Sequence, residues 1–154
     1  MTTAPHRSDL ESRLELAREL GKRAETLALS YFQDPGLEVI KKPDGSPVTA
    51  ADKAIEEMLR TEISAAFAND AILGEEYGKS EGSSGFRWIL DPIDGTRAFS
   101  RGIPTFGVLI AVEHSGRSVV GVSQYPGLQE QIYAAEGLGA FWEVPRRGVR
   151  PAKV

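Results

Sequence analysis

The sequence contains no cysteine, which excludes disulfide bonds, thiolate metal sites and cysteine nucleophiles. It also lacks a long hydrophobic run: the longest, from Phe106 to Val112, is far too short to span a bilayer. The polar segment from Met1 to Asp9 has no apolar core of the kind found in signal peptides. We therefore expect a soluble, cytoplasmic protein without membrane contacts.

An excess of basic residues is missing as well. The chain has 18 lysines and arginines against 22 aspartates and glutamates, a formal net charge of −4. Nucleic-acid-binding domains usually present a basic face, so we expect no nucleic-acid partner. With 154 residues, of which 41% are hydrophobic, the chain is long enough to bury one core. No linker or repeat divides it, which predicts a single domain over residues 1–154.

Two amphipathic helices are predicted in the first half of the chain. Ser8 and Glu11 have the spacing of a capping box at the start of the first helix, and Asp34-Pro35-Gly36 would end it. Thr49 and Asp52 form a second capping-box pattern. Apolar residues recur at steps of three and four in both segments: Leu10, Leu14, Ala17, Leu20, Ala24, Leu27, Ala28 and Tyr31 in the first, and Ile55, Leu59, Ile63 and Phe67 in the second.

The second half of the chain has the pattern of β-structure. Short turns at 113–116 and 125–128 predict an antiparallel meander, with the two helices covering one face. The fold class is therefore α+β, a layered arrangement of two N-terminal helices on a largely antiparallel sheet. The tail from Pro145 to Val154 is predicted to be a frayed terminus, with a basic arm as the alternative. The predicted strands are 87–90, 105–112, 118–123, 131–135 and 139–142, preceded by short strands at 37–40 and 71–73.

Two aspartates follow the buried-type strand Trp88-Ile89-Leu90. Between Asp91 and Asp94, the fixed φ of Pro92 is expected to end the strand and kink the chain. Such a kink can turn both carboxylates and the carbonyl of Ile93 toward one point, and oxygen ligands of this kind suit Mg²⁺. The alternative is a plain surface turn, since Asp, Pro and Gly all favour turns. Two carboxylates at the end of a buried strand favour the metal site.

Neighbouring residues extend this candidate site. If a short helix begins at Gly95 and Thr96, its free N–H groups face the same point and can hold a phosphate. One of Glu75 and Glu76, which also follow a predicted strand, would complete a three-carboxylate cluster that repels itself unless a cation fills it. Taken alone, two adjacent acids are more often simply solvated. Asp52 has an alternative role as a helix cap, and that role is compatible with a catalytic one.

Three segments in this order and at this spacing resemble the inositol monophosphatase family: Pro47 to Asp52, Gly74-Glu75-Glu76, and Trp88 to Thr96. The resemblance runs from Leu10 to Trp142 and implies the N-terminal portion of the inositol monophosphatase-like (sugar phosphatase) fold. Within the family the sequence most resembles bacterial histidinol-phosphatases. The features that carry this finer likeness are Asp44 to Thr49, Tyr77-Gly78 and Arg97-Ala98-Phe99.

The resemblance implies three overlapping sets of site residues. The set that binds Mg²⁺ comprises Glu75, Asp91, the Ile93 carbonyl and Asp94. The set that binds the phosphate of a small phosphorylated substrate comprises Gly95, Thr96, Asp94 and Lys42, with Lys41 as the alternative lysine. The catalytic set comprises Asp52, Thr96 and Glu75, and of these Asp52 and Thr96 orient the attacking water.

The implied activity is Mg²⁺-dependent hydrolysis of a small phosphate monoester, L-histidinol phosphate in histidine biosynthesis. An inositol monophosphate, a nucleotide and a sugar phosphate are alternative substrates. Family members normally continue into a C-terminal domain that supplies a further aspartate ligand from a Trp-Asp motif, and no Trp-Asp pair occurs in this sequence. We therefore expect the C-terminal domain to be absent. The alternative function is a truncated, catalytically incomplete metal- and phosphate-binding fragment. The family also favours homodimers.

Overall fold

The structure is a computed structural model and describes residues 4–152. Its helices are α1 (Arg7–Tyr31), α2 (Ala50–Ala66) and the one-turn α3 (Thr96–Phe99). Within residues 4–152, no helix combines the length and apolarity needed to cross a membrane. The strands are β1 (Val39–Lys41), β2 (Pro47–Thr49), β3 (Ala71–Gly74), β4 (Gly78–Ser80), β5 (Phe86–Asp94), β6 (Gly107–His114), β7 (Arg117–Tyr125), β8 (Glu130–Ala135), β9 (Gly139–Val144) and β10 (Gly148–Pro151).

Helix α1 begins before the predicted capping box of Ser8 and Glu11, so that prediction of its start is wrong. The N-cap is His6, whose backbone N–H donates to the carboxylate of Asp9 at 3.1 Å. Asp9 lies three residues after the cap, the position from which an acidic side chain reaches back to it. The predicted apolar stripe does face the core, where the buried residues include Leu10, Ala17, Leu20, Ala24 and Ala28.

Helix α2 starts at the predicted capping box. The backbone N–H of Thr49 donates to the carboxylate of Asp52 at 2.8 Å, and the N–H of Ala51 donates to the Thr49 hydroxyl at 3.2 Å. Two carboxylates, those of Asp52 and Glu56, lie on the buried face of this helix. The apolar residues buried on the same face are Ala51, Ile55, Leu59 and Ile63.

Eight strands form one sheet in the order β10-β9-β8-β7-β6-β5-β3-β4. From β5 to β9 each strand pairs antiparallel with the next, which confirms the predicted meander, and β10 adds a further antiparallel pair with β9. The exception is β3, which pairs parallel with β5. Both long helices pack on one face, α1 against β6, β7 and β8, and α2 against β5. The strand residues that face the helices, such as Trp88, Ile110 and Val122, are buried, and the predicted α+β layers are confirmed.

Two predictions within the sheet are wrong. Pro92 does not end its strand, because β5 continues to Asp94 and stays paired with β6 on both sides of the proline. The predicted frayed tail is ordered over Gly148–Pro151, where β10 forms a hairpin with β9. Residues 153 and 154 of that tail lie outside the described range. In both places the neighbouring strand decides the conformation, and local sequence does not reveal that neighbour.

Candidate active site

Two acidic segments meet at one edge of the sheet because β3 and β5 are parallel. Gly74 at the end of β3 lies opposite Leu90 of β5. The next residues along the two strands are Glu75 and Asp91, so both leave the strand pair at the same edge. The parallel pairing therefore brings together acids that a loop and strand β4 separate in the sequence.

A β-bulge in β5 turns Asp94 toward the side of Asp91. Asp91 pairs with Leu109 of β6 and Asp94 pairs with Gly107, so three steps along β5 match two steps along β6. In a regular strand without a bulge, two side chains three residues apart, such as those of Asp91 and Asp94, would point to opposite faces of the sheet. The bulge shifts the alternation, since Ile93 is buried and Asp94 is exposed. The kink predicted at the proline is thus a bulge within a continuous strand.

Helix α2 presents Asp52 to the segment that follows β5. The Oδ2 atom of its carboxylate accepts hydrogen bonds from the backbone N–H and the hydroxyl of Thr49, at 2.8 and 2.6 Å. The Oδ1 atom accepts a hydrogen bond from the hydroxyl of Thr96 at 3.2 Å. Burial raises the pKa of Asp52, and the hydrogen bonds from Thr49 and Thr96 oppose that rise. The capping contact and the Thr96 contact use different oxygens, so the two roles are compatible.

The segment after β5 holds the Thr96 hydroxyl between two acceptors. Besides Asp52, the hydroxyl lies 2.9 Å from the carbonyl oxygen of Ile93, and its single proton can serve only one of them at a time. Gly95 has a left-handed φ of +89°, and a Cβ there would lie 3.3 Å from the carbonyl oxygen of Thr105. Glycine therefore allows the turn from β5 into α3. The phosphate-binding role of Gly95 and Thr96 stays a prediction.

Lys42 reaches this edge from the loop that follows β1. Its ammonium group lies 3.1 Å from the carboxylate of Glu75 and 2.6 Å from that of Glu76. Burial lowers the pKa of Lys42, but the hydrogen bonds to Glu76 and Glu75 outweigh burial and hold the pKa above its ordinary value. Of the two candidate lysines, the structure brings Lys42 to the predicted site, while Lys41 is exposed.

The negative charges at this edge of the sheet act together on the carboxyl group of Asp91. Its Oδ1 atom is buried and has no hydrogen-bond partner among residues 4–152. Burial, together with the charges of Glu75 and Asp94, raises the pKa of Asp91 to about 7, and Asp52 acts in the same direction. A buried carboxylate oxygen without a donor, surrounded by other carboxylates, fits a divalent cation.

The carboxylates do not form a closed metal cage by themselves. In the described part of the chain, no three histidine, aspartate or glutamate side chains converge into a ready metal site. The ammonium group of Lys42 donates hydrogen bonds to the carboxylates of Glu75 and Glu76. The four predicted ligands therefore lie at one edge without closing around a point, and their role stays a prediction.

Comparison with known proteins identifies the family. The sequence matches the model of the inositol monophosphatase family over residues 9–153. This chain belongs to that family. It is 47% identical over 128 residues to the histidinol-phosphatase of Chlorobaculum parvum, an alignment that covers 83% of this chain and 49% of the relative. For the histidinol-phosphatase of Mycobacterium tuberculosis the identity is 43% over 141 residues, which cover 92% of this chain and 54% of the relative.

Family members with other names are also similar to this chain. The inositol-1-monophosphatase of Mesorhizobium japonicum is 39% identical over 121 residues, which cover 78% of this chain and 46% of the relative. The chain thus spans about half the length of the curated relatives it matches.

Solved structures of the family share the fold of this chain. The extragenic suppressor protein suhB from Bartonella henselae matches with a TM-score of 0.81 and 32% identity, over 89% of this chain and 53% of that structure. The inositol monophosphatase from Anabaena matches with a TM-score of 0.77 and 33% identity, over 95% of this chain and 50% of that structure. The predicted inositol monophosphatase-like fold is confirmed, and this chain covers about half of each of these structures.

Sequence reasoning missed one charged residue beside this candidate site. Glu56 follows Asp52 by one helical turn and lies on the buried face of α2. Its carboxylate accepts hydrogen bonds from the backbone N–H groups of Glu76 and Tyr77, which lie in the loop that carries Glu75. The available signal was a charged residue within an apolar helical stripe, since glutamate is rarely buried without a partner.

The metal-free protein should lose stability as the pH rises toward neutrality, and Asp91 should cause part of this loss. In the folded state Asp91 keeps its proton up to a pKa of about 7, whereas an unfolded aspartate releases it near about 4. The folded state therefore binds more protons in this window, and its free energy of unfolding falls as the pH rises through it. Urea titrations in EDTA at several pH values measure the slope. Asp91→Asn should make the dependence of the free energy of unfolding on pH less steep, and an unchanged slope would contradict the role assigned to Asp91.

Proposed function

We propose that this chain carries the metal- and phosphate-binding site of a Mg²⁺-dependent phosphomonoesterase that hydrolyses L-histidinol phosphate. The supporting observation is the edge where β3 and β5 end. There the buried Oδ1 atom of Asp91 has no hydrogen-bond donor within residues 4–152. The negative charges of neighbouring carboxylates raise the pKa of Asp91. One of these carboxylates, that of Asp52, accepts a hydrogen bond from the hydroxyl of Thr96. Oxygen ligands suit a hard divalent cation, and a hydroxyl–carboxylate pair suits proton transfer from water.

The predicted metal ligands offer only oxygen atoms, from the carboxylates of Glu75, Asp91 and Asp94 and the carbonyl of Ile93. When bound, Mg²⁺ would lower the pKa of a water molecule and offset negative charge on the phosphoryl oxygens. Asp91 must be ionised to act as a ligand, and Glu75 must exchange its contact with the Lys42 ammonium for the metal. Lys42 then remains beside the site, where its charge attracts the substrate phosphate.

Thr96 and Asp52 orient the attacking water in this proposal. Because Thr49 holds one oxygen of Asp52, the other oxygen fixes the Thr96 hydroxyl. The Thr96 oxygen accepts a hydrogen bond from water, whose oxygen attacks phosphorus while its proton moves toward the pair. The ester P–O bond breaks, the leaving alkoxide takes up a proton from solvent to become the alcohol, and the proton held by the pair passes to solvent. The amides of Gly95 and Thr96 are proposed to bind phosphate oxygens.

Histidinol phosphate is the proposed substrate because histidinol-phosphatases are 47% and 43% identical to this chain. An inositol monophosphate is the second candidate, because an inositol-1-monophosphatase is 39% identical to it. The chain spans about half the length of these relatives, so an incomplete fragment that binds metal and phosphate without turnover is a third candidate. The cytoplasmic location, the lack of nucleic-acid and membrane partners, and the homodimer stay predictions.

Release of inorganic phosphate by the purified chain tests the proposal. With Mg²⁺ we expect release from L-histidinol phosphate, abolished by EDTA, and slower release from an inositol monophosphate. Undiminished release in EDTA would contradict the proposed chemistry, and faster release from the inositol ester would reassign the substrate. No release, combined with calorimetric binding of Mg²⁺ and phosphate, would favour the incomplete fragment.

Asp94→Asn tests the predicted ligand set separately from turnover. Mn²⁺ binding, measured from the paramagnetic resonance signal of the free ion, should weaken at least about tenfold, because the amide lacks the negative charge that holds the ion. Glu81→Gln is the matched control. Glu81 is 81% exposed and pairs with Lys79, so its variant should bind Mn²⁺ like the wild type. Wild-type binding by Asp94→Asn would contradict the proposed site.

A further inference from the structure

The carboxylate of Glu56 is fully buried and contacts the loop that carries Glu75. Its Oε2 atom accepts the backbone N–H of Glu76 at 2.6 Å, and its Oε1 atom accepts the N–H of Tyr77 at 3.1 Å. Arg60, one turn later on α2, donates to Oε1 at 2.8 Å. A buried charge is destabilising unless it is paired and hydrogen-bonded, and these three donors provide both.

The same contact requires glycine at position 74. A Cβ atom on Gly74 would lie 1.9 Å from Oε1 of Glu56 and 2.3 Å from its Cδ. These distances are far shorter than van der Waals contact, so any side chain would push the carboxylate and the loop apart. Close approach of the backbone to a buried group is one of the uses of glycine. Gly74 and Glu56 therefore form one packing unit.

Glu56 contacts the chain on both sides of Glu75, at Gly74 before it and at Glu76 after it. The Glu75 side chain itself is 47% exposed, and its carboxylate pairs with the flexible ammonium group of Lys42. The direction of Glu75 therefore depends on its backbone, and Glu56 holds that backbone.

We propose that Glu56 is a positioning residue for the divalent-cation site: it holds the Gly74–Tyr77 loop so that Glu75 is directed toward Asp91. This inference rests on the proposed function, because it takes Glu75 as a metal ligand. Helix α2 then supports both halves of the site from one face. Asp52 holds the Thr96 segment after β5, and Glu56 holds the Glu75 segment after β3.

Arg60 extends the same support beyond the loop. Its guanidinium group binds the carboxylate of Glu56 and also the carbonyl oxygen of Gly78, the first residue of β4. The loop between β3 and β4 is thus held through its N–H groups at one point and through a carbonyl at another. Groups that orient metal ligands in this way commonly change metal affinity by about 10- to 100-fold when they are replaced.

Mn²⁺ binding by the 154-residue chain is the primary test. Glu56→Gln keeps the shape of the side chain but replaces one acceptor oxygen with an NH₂ group that cannot accept from the loop. We expect Mn²⁺ affinity to fall by about tenfold or more. Hydrogen exchange at the amides of Glu76 and Tyr77 should become faster in the same variant. Glu57→Gln is the matched control, since Glu57 is the exposed neighbour on α2, and both readouts should stay at wild-type values.

Two further variants separate positioning from stability. Ile63→Val weakens the core contact of α2 and should lower stability by about 0.5–1.5 kcal/mol, yet it should leave Mn²⁺ affinity unchanged. Gly74→Ala should weaken Mn²⁺ binding in the wild-type background. In a Glu56→Ala background it should have a smaller effect, because the atoms that clash with the new Cβ are gone. Equal effects of Gly74→Ala in the two backgrounds would overturn the inference.

Wild-type Mn²⁺ affinity in a folded Glu56→Gln variant would also overturn the proposed positioning role of Glu56. Asp94→Asn distinguishes this failure from failure of the proposed function. If Asp94→Asn binds Mn²⁺ normally, the metal site itself is wrong. If Asp94→Asn loses Mn²⁺ and Glu56→Gln retains it, only the positioning role is wrong. Should Glu56→Gln fail to fold, Gly74→Ala in the wild-type background decides the question, and wild-type Mn²⁺ affinity in this folded variant would overturn the inference.

Discussion

Replacing Thr96 with alanine is expected to lower Mg²⁺-dependent phosphate release by about 10²–10⁴-fold, the range typical of a group that assists proton transfer. Alanine removes the hydroxyl that lies between Oδ1 of Asp52 and the carbonyl oxygen of Ile93. Asp52 stays oriented by Thr49, so the cap of α2 is retained. The attacking water then loses its oriented acceptor. Initial rates of phosphate release at saturating substrate, and Mn²⁺ affinity in parallel, check this result.

Two controls isolate the hydroxyl of Thr96. Thr96→Ser keeps the hydroxyl and should retain most of the turnover. Ser100→Ala removes a nearby hydroxyl that donates to the carbonyl oxygen of Arg97 at 3.3 Å, and should have no effect on turnover. Mn²⁺ affinity should be similar in all three variants, because the carboxylate ligands are unchanged. Equal turnover by Thr96→Ala and Thr96→Ser would contradict the role proposed for the Thr96 hydroxyl.

Replacing Arg13 with methionine is expected to lower the free energy of unfolding by about 3–5 kcal/mol, the cost of breaking a buried ion pair from one side. Arg13 donates from Nε and Nη2 to the two oxygens of Asp70, each at 2.8 Å. Its guanidinium carbon also lies 3.6 Å from the centroid of the Phe86 ring. Methionine fills part of this space but leaves the Asp70 charge buried without its cation. Urea unfolding at neutral pH measures the difference.

The difference in free energy of unfolding between the wild type and Arg13→Met should become smaller at acid pH. Burial raises the pKa of Asp70, but the hydrogen bonds from Arg13, Ser84 and Trp88 outweigh burial and hold the pKa below its ordinary value. The wild type therefore has this stabilisation above a pH of about 4 and loses it as the pH falls further. In the variant, protonation of Asp70 removes the unpaired charge, so the two proteins become more alike.

Arg7→Met is the matched control for the buried pair. Arg7 also forms an ion pair on α1, with Glu11, but both side chains are largely exposed. Exposed pairs contribute little, so this substitution should change the free energy of unfolding by less than about 1 kcal/mol. Equal losses in Arg7→Met and Arg13→Met would contradict the role assigned to burial.

The long helices and the hairpins that join β6, β7 and β8 could be predicted because they depend on nearby residues. Steps of three and four between apolar residues specify the buried faces of α1 and α2, and the reciprocal bonds of Thr49 and Asp52 mark the start of α2. Short turns allow only antiparallel neighbours, which accounts for the meander. The predicted start of α1 is wrong because two possible capping patterns overlap there, one from His6 to Asp9 and one from Ser8 to Glu11. The hydrogen bond from the backbone N–H of His6 to the carboxylate of Asp9 forms instead of the cap expected at Ser8.

The candidate site could be predicted only in part. Glu75, Asp91 and Asp94 stand out in the sequence because each follows an apolar strand, and the family resemblance suggests what they bind. Their geometry was not predictable, since it requires the parallel pairing of β3 with β5 and the bulge in β5. Glu56 and Asp70 were missed because their partners lie in other elements, beyond the reach of any helical or turn pattern.

By itself, the sequence determined where the long helices form, that β6, β7 and β8 are joined by hairpins, and which acids are available for chemistry. Periodicity, capping and turn preferences act over a few residues, so a local pattern is sufficient for them. Only the tertiary structure decided that Glu75 lies beside Asp91, that Asp94 turns to the same edge, and that Glu56 holds the loop between β3 and β4. These relations depend on strand order and register, which are set when distant segments bury their apolar faces against one another.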